Sequence, residues 1–355
     1  MLAALLCEGG TRGKHGFPRG GAVIGSANGR PISITGLGCN VPDRIVTNAD
    51  LEELVQTTDE WIVTRTGIHE RRLAEPGELA MSDLAIPAAE RALEQAGIDP
   101  AEIDCLIVAT VTPDMAFPST AAIVADKLGM PDAAAYDLSA GCTGFMYAIA
   151  QAYGMVASGL SKKALVIGGD VLSSILDWTD RSTLILFGDG AGAVVIERVE
   201  SGGFLGFELG ADGGGGDSLW LPGSGSRKFE SPEKFVKMNG REVFKFATRV
   251  LVSSAQKILE ECDKTVEDVD VYVPHQANIR IIDHAAAKLG IPKEKVIVNV
   301  DKYGNTSSGS IPLALADAEA DGRLKPGALV LMTGMGAGLT WGSSLIEWTN
   351  GRKAA

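Results

Sequence analysis

Positive charge, aromatic side chains, paired cysteines and long apolar runs are all scarce in this sequence of 355 residues. Lys and Arg number 32 against 45 Asp and Glu, a formal net charge of −13. A nucleic-acid binder carries a basic footprint, so this balance excludes nucleic acid as the partner. The five cysteines (7, 39, 105, 142 and 262) include no CxxC pair. That excludes a zinc ribbon, argues against a disulfide framework and predicts a reducing, cytoplasmic setting. No stretch approaches about 18 uninterrupted apolar residues, so no membrane partner is expected. Leu2 to Leu6 is too short for the core of a signal peptide. What is present is an ordinary globular balance, 45% hydrophobic and 22% charged, with 44 glycines. A chain of this length, at roughly 100–200 residues per domain, suggests two domains.

Residues 1–30 read as a basic, flexible N-terminal extension, and 351–355 as a tail. Between them, short β-branched runs alternate with Ala- and Leu-rich segments of helical spacing, the pattern of an α/β protein with buried strands. The candidate strands are Leu106–Ala109, Ala164–Ile167, Ala193–Ile196, Val271–Val273, Val296–Asn299 and Leu329–Thr333. Helical spacing runs over Ser82–Gly97 and Glu242–Cys262.

The chain also repeats itself. Leu93 leads to Asp104 and a strand; Leu259 leads to Asp270 and a strand, at the same interval and an offset of 166 residues (259 − 93). Gly188–Gly192 and Gly334–Gly338 each precede a strand ending in Ile-Glu. The order of these matches predicts two duplicated halves, 31–200 and 201–350. The glycine-rich run Gly210–Gly225 reads as a long loop of the second half.

Three polar residues stand out. Cys142 lies in DLSAGCTGF (137–145), between a short strand-like run and a helical pattern ending at Gly159. A helix N-terminus favours a thiolate, although a lone cysteine also serves as a small buried hydrophobe. His275 follows a buried strand in PHQAN (274–278), where sites of α/β proteins collect; a structural histidine fits there too. Asn305 lies in GNTSSGS (304–310), which by itself reads as a turn. The glycine motifs at 36, 188 and 334 miss the spacing or the following helix of a dinucleotide fingerprint. An oxidoreductase is therefore disfavoured.

Together, AGCTGF, HQAN and YGNTSSGS resemble the β-ketoacyl-acyl carrier protein synthase III family. DEWIVTRTGI (59–68), AFPST (116–120), DRSTLILFGDGAGAVVIE (180–197) and GMGAGLTWGS (334–343) extend the resemblance over about 31–350. It implies a thiolase-like, five-layered αβαβα sandwich of two similar halves, in a homodimer. It implies a decarboxylating condensation of a short acyl-CoA with malonyl-acyl carrier protein, initiating fatty acid synthesis.

The resemblance assigns roles residue by residue. Cys142 would hold the acyl group, and the amides of Cys142 and Ala337 would form the oxyanion hole. His275 and Asn305 would stabilise the enolate left by decarboxylation. Trp61 and Arg181 would sandwich the CoA adenine, Arg65 would touch CoA, and Asn278 would orient the pantetheine end or the active-site water network. Phe117 would reach across the dimer to close the acyl pocket. Arg280, with Lys245 and Lys288, would dock the acidic carrier protein. No cofactor or metal is implied, since the CoA thioester is a substrate. A thiolase would need a second cysteine near the last glycine motif, and none lies beyond 262. An acyltransferase of a polyketide or quinolone pathway would use the same triad and stays open. A non-catalytic partner subunit is disfavoured by the intact Cys142, His275 and Asn305.

Overall fold

The computed structural model describes residues 30–227 and 234–349. Residues 1–29 of the expected extension, the tail 351–355 and Cys7 lie outside the described residues.

β1 (Ile32–Asn40) is followed by a two-stranded ribbon, β2 (Ile45–Thr47) with β3 (Glu70–Arg72). The ribbon is interrupted by α1 (Asn48–Glu52) and α2 (Asp59–Thr66), capped by Thr47 and Thr58, whose hydroxyls accept from backbone N–H groups of the first turn. α3 (Met81–Ala96), β4 (Cys105–Ala109), α4 (Thr120–Leu128) and β5 (Ala134–Leu138) come next. α5 (Gly144–Ser158), β6 (Lys163–Asp170), α6 (Arg181–Leu184) and β7 (Gly190–Arg198) complete a sheet of order β1-β7-β6-β4-β5.

β8 (Gly203–Ala211) begins the second sheet, and β9 (Leu219–Trp220) pairs with β10 (Lys237–Met238). α7 (Gly240–Glu261), β11 (Val271–Pro274), α8 (Ile279–Leu289), α9 (Val300–Tyr303) and α10 (Ser310–Ala320) lead to β12 (Leu329–Gly336) and β13 (Thr340–Glu347). The order is β11-β12-β13-β8.

Strand composition dictates the layering. β4 reads Cys-Leu-Ile-Val-Ala and is buried on both faces, as a parallel interior strand must be. Ile107 points to the core between the sheets, while Leu106 and Val108 point outward under α3 and α4. α5 and α10 lie between the sheets, with Phe145 and Ile149 from one and Ile311 and Leu315 from the other. α7 and α8 cover the outer face of the second sheet through Ile258, Leu259 and Ile282. The result is the five-layered αβαβα sandwich of the thiolase-like fold.

The registers of the two sheets correspond. Lys163 faces Glu197 in β6–β7 as Leu329 faces Glu347 in β12–β13. A bulge separates Ile34 from Gly36 in β1, and another falls between Phe204 and Gly206 in β8. The glycine matches of the sequence are displaced, however. Gly190 and Gly192 belong to β7, whereas Gly334 and Gly336 belong to β12, so only the strands after these motifs correspond.

Two local expectations are corrected. Val296–Asn299 is not a strand: Val296 makes one parallel bridge to Tyr272. The buried Gln276 amide replaces the ladder, donating to the Ile297 carbonyl (3.1 Å) and accepting from the N–H of Asn299 (2.9 Å) and Val300 (3.2 Å). The run Gly210–Gly225 is not loop throughout, because it contains the end of β8 and all of β9.

Candidate active site

Cys142 stands in a short 3₁₀ turn (Gly141–Thr143) between β5 and α5. The turn requires close backbone approach. Gly141 has φ +58, and a Cβ there would lie 2.7 Å from the amide nitrogen of Ala337. A Cβ at Gly336 would collide with the Cys142 amide nitrogen. The β12–β13 turn is thereby pressed onto the cysteine, and the amides of Cys142 and Ala337 lie near enough to the thiol to pull its pKa down.

The expected preference for thiolate is overturned. Burial pushes the Cys142 thiol up to about 11, and the Asp170 charge adds to the rise. The Ser307 hydroxyl and the two amides pull the other way without reversing it. A helix N-terminus stabilises a charge by only about 0.3–1 kcal/mol in most settings. Enclosure costs a buried ion more.

His275 follows β11 and is fully buried. Its Nδ1 lies 2.5 Å from the Ser310 hydroxyl, at the start of α10. That hydroxyl oxygen also accepts from the Gln276 N–H (3.5 Å), so its own proton is free to be donated to Nδ1. The tautomer that fits carries the ring proton on Nε2, ready to donate. Burial lowers the pKa of His275 to about 4, so the ring is neutral at physiological pH.

Asn305 is held by its backbone, which donates to the Leu186 carbonyl (2.8 Å) and accepts from Gly188 N–H (3.0 Å). Its Oδ1 accepts from Ser307 N–H (2.9 Å), which fixes the amide with Nδ2 as the remaining donor. Cys142, His275, Asn305 and Asn278 line one cavity of about 150 Å³. Cys142 and Ala337 also line a larger one of about 440 Å³, walled by Met115, Leu176 and Leu219. The cysteine stands where the two meet.

The three expected CoA residues converge. The Arg181 guanidinium lies 4.7 Å from the centre of the Trp61 ring, and that of Arg65 lies 5.5 Å from it. At 4.7 Å Arg181 rests on the indole itself, so a base inserted between them must part the pair. Asn278 caps α8 by accepting from Arg280 N–H (2.8 Å) and donates to the Arg65 carbonyl (3.1 Å), tying the arginine segment to the cavity wall. Phe117 is 85% exposed and does not join these residues, although Met115 and Ala116 line the larger cavity. Arg280 is exposed, 5.4 Å over the Phe244 ring at the rim of the smaller cavity. Lys288 is exposed in the last turn of α8. Lys245 is paired with Glu242 at 2.8 Å, one turn back on α7, so its charge is partly compensated. Ser310, Ser307 and Asp170, which touch this machinery, were missed in the sequence. Serines in a turn-like segment and an aspartate ending a strand carry no signal of their own.

Among the described residues no group of three or more His, Cys, Asp or Glu could hold a metal ion. No helix among them is long and apolar enough to cross a membrane.

Residues 136–213 match the family described as 3-oxoacyl-[acyl-carrier-protein] synthase III, and residues 259–348 match its C-terminal part. The chain is 52% identical over 325 residues to a β-ketoacyl-[acyl-carrier-protein] synthase III of Desulfitobacterium hafniense, covering 90% of this chain and 98% of that protein. The crystal structure of the synthase III of Thermus thermophilus superposes with a TM-score of 0.86 at 49% identity, covering 90% of this chain and 99% of the other. The priming β-ketosynthase of the R1128 polyketide pathway superposes with a TM-score of 0.84 at 39% identity, over 89% and 96%. The chain therefore belongs to the β-ketoacyl-[acyl-carrier-protein] synthase III family, condensing acyltransferases of the thiolase superfamily.

Proposed function

We propose that this enzyme condenses a short acyl-CoA, acetyl-CoA first among them, with malonyl-acyl carrier protein in the cytoplasm, as a homodimer, to initiate fatty acid synthesis. One observation carries the reading: Cys142, His275 and Asn305 share one cavity, with the two amides beside the sulfur. Cys142 attacks the thioester carbonyl, the amides of Cys142 and Ala337 take the oxyanion, and CoA departs. Malonyl-carrier protein then enters. Neutral His275, through Nε2–H, and Asn305, through Nδ2–H, donate to its thioester oxygen. Loss of CO₂ leaves an enolate at that oxygen, and its carbon attacks the acyl-cysteine. Neither donor is a base at neutral pH, which suits a carbanion made by decarboxylation rather than deprotonation.

Trp61, Arg65 and Arg181 form the adenine end of the CoA site and Asn278 its inner end. The carrier protein docks at the rim marked by Arg280, with Lys288 alongside and Lys245 contributing less because of Glu242. Phe117 lies next to cavity-lining residues but faces outward, as a side chain destined for a second copy of the chain would. The halves 31–200 and 201–350 act as one unit, since the nucleophile comes from the first and the donors from the second. The test separates the half-reactions. Asn305→Ala should leave acylation by acetyl-CoA intact and slow malonyl decarboxylation about 10²-fold; equal loss of both would make Asn305 structural.

The 440 Å³ cavity at Cys142 favours a second reading, a longer or branched primer of the kind a polyketide pathway uses. Competition among acyl-CoAs of graded length for Cys142 decides it. Preference for acetyl would remove this reading.

A further inference from the structure

Arg71 is a buried cation that the mechanism above leaves unused. It lies in β3, is fully enclosed, and is among the largest side chains to be so. Among the described residues no carboxylate accepts from its guanidinium, and its Nε has no partner. Burial lowers its pKa to about 10 against the pull of the Asp50 and Glu70 charges, so it stays charged at neutral pH. A buried charge without a counter-ion beside it is costly to keep. Its use lies in what it holds.

The guanidinium joins three segments. Nη1 donates to the Val46 carbonyl (3.3 Å) in β2 and to Asn48 Oδ1 (2.8 Å) at the start of α1. Nη2 donates to the Ile185 carbonyl (2.9 Å), at the end of α6, where carbonyls lack partners within the helix. The residues just beyond carry Asn305. The Leu186 carbonyl accepts from Asn305 N–H (2.8 Å), Phe187 forms a bridge to Asn305, and Gly188 N–H donates to the Asn305 carbonyl (3.0 Å). The arginine stem packs against both chains of this pairing. A Cβ at Gly188 would lie 3.4 Å from the Arg71 Cβ, and one at Gly304 would lie 3.3 Å from it. The stem fills the space that these two glycines leave.

The other arm reaches the residues assigned to CoA. Asn48 Nδ2 donates to Asp59 Oδ1 (2.7 Å), the first residue of α2, and to the Ile68 carbonyl (2.8 Å) just past its end. α2 carries Trp61 and Arg65. α6 begins with Arg181, which lies on Trp61 and donates through Nη1 to the Gln56 carbonyl (2.9 Å). α6 is therefore a single turn of helix with Arg181 at its front and the carbonyl held by Arg71 at its back. Parting Arg181 from Trp61 to admit a base pulls on the front of α6. Without a hold at the back, that displacement would pass to Leu186 and so to Asn305.

Resting on the roles proposed above for Asn305 and the CoA residues, we propose that Arg71 is a positioning residue: it pins the end of α6, so that Asn305 keeps its place while CoA enters and leaves beside Arg181. The geometry of the fork matters more than its charge. A planar guanidinium meets three acceptors in fixed directions at once, whereas a lysine ammonium on a flexible stem keeps the charge and loses the arrangement. Cys142 does not depend on this hold. Its turn is fixed by close approach of Gly141 and Gly336 to the β12–β13 turn and the cysteine backbone. Arg71 should therefore matter to the step that uses Asn305 and not to acylation.

Arg71→Lys in the full chain tests this by separating the half-reactions. Release of CO₂ from malonyl-carrier protein by the acetylated enzyme should fall in kcat about 10–10²-fold, with KM unchanged, as a small misplacement of a catalytic group does. Acetylation of Cys142 at saturating acetyl-CoA should keep the wild-type rate. Adding Arg71→Lys to Asn305→Ala should cause no further loss, because the arginine acts through the asparagine. Asn48→Ser, which keeps the guanidinium and removes its side-chain acceptor, should show the same split in smaller measure and serves where Arg71→Lys does not fold. Equal loss in both half-reactions, wild-type decarboxylation in these variants, or an undiminished loss in the Asn305→Ala background would overturn the positioning role. Asn305→Ala with wild-type decarboxylation would instead overturn the proposed role of Asn305, and the positioning role with it.

Discussion

Cys142 and His275 are both enclosed, and burial moves their pKa values in opposite directions because it penalises the charged form of each. The thiol rises to about 11 and the imidazole falls to about 4. At neutral pH both are uncharged, so the site begins as a thiol and a hydrogen-bond donor rather than an ion pair. The histidine carries a stability consequence. Its folded pKa of about 4 lies below the ordinary 6.5, so its contribution is complete above 6.5 and is lost as pH falls through about 4. His275→Asn should therefore lose less Tm than wild type between those limits; parallel curves would show that His275 is not buried neutral. The cysteine has the opposite sign, with stability complete below 9.0 and lost as pH rises through about 11. At this scale the meeting of Cys142, His275 and Asn305 in one cavity was legible because each sits inside a motif of the resemblance. Ser307 and Ser310 sat in the same motif as Asn305 and were passed over, since serines there satisfy a turn equally well. The thiol pKa was not legible because it depends on an enclosure built by residues as distant as Ala337.

The elements show how close backbone approach replaces side chains near the sulfur. Gly336 does not have a positive φ, yet a Cβ there would strike the Cys142 amide. Gly336→Ala should separate the amides of Cys142 and Ala337, the proposed oxyanion hole, and lower kcat/KM for acylation about 10²–10³-fold, the usual loss of one donor. A wild-type kcat/KM would mean the amides do not act together. Gln276 is a second case. Its amide satisfies Ile297, Asn299 and Val300 where a fifth strand would otherwise have paired. Gln276→Leu should cost about 1–3 kcal/mol per orphaned group in a urea titration, with unchanged m; a neutral change would show that the segment re-pairs as a strand. The apolar pattern of Val296–Asn299 predicted a strand because it is one in burial and direction. It could not reveal that a side chain twenty residues earlier had taken the hydrogen bonds. The strands of the first sheet were legible because an all-apolar run such as 105–109 has few other uses.

At the scale of the molecule, two sheets with matching registers place one cysteine and two donors across a shared core. The internal repeat was legible through its strands, while its glycine motifs misled because they serve an entry into β7 and an exit from β12. Surface roles are harder to read from order in the chain. Lys245 and Arg280 look alike as sequence, but the first is held by Glu242 and the second stands at the rim of the smaller cavity over Phe244. Arg280→Glu should weaken KM for malonyl-carrier protein at least tenfold with little effect on acylation by acetyl-CoA, and Lys245→Glu should do less. Equal effects of the two would remove Arg280 from the docking face. The central claim is that Cys142 carries the acyl group between two thioester substrates. Intact-protein mass spectrometry with peptide mapping, before and after adding malonyl-acyl carrier protein, tests it most directly. The account predicts one acetyl group on the Cys142 peptide after acetyl-CoA, absent in Cys142→Ala and discharged by the malonyl substrate. A label on another residue, or one that malonyl-carrier protein leaves in place, would contradict it.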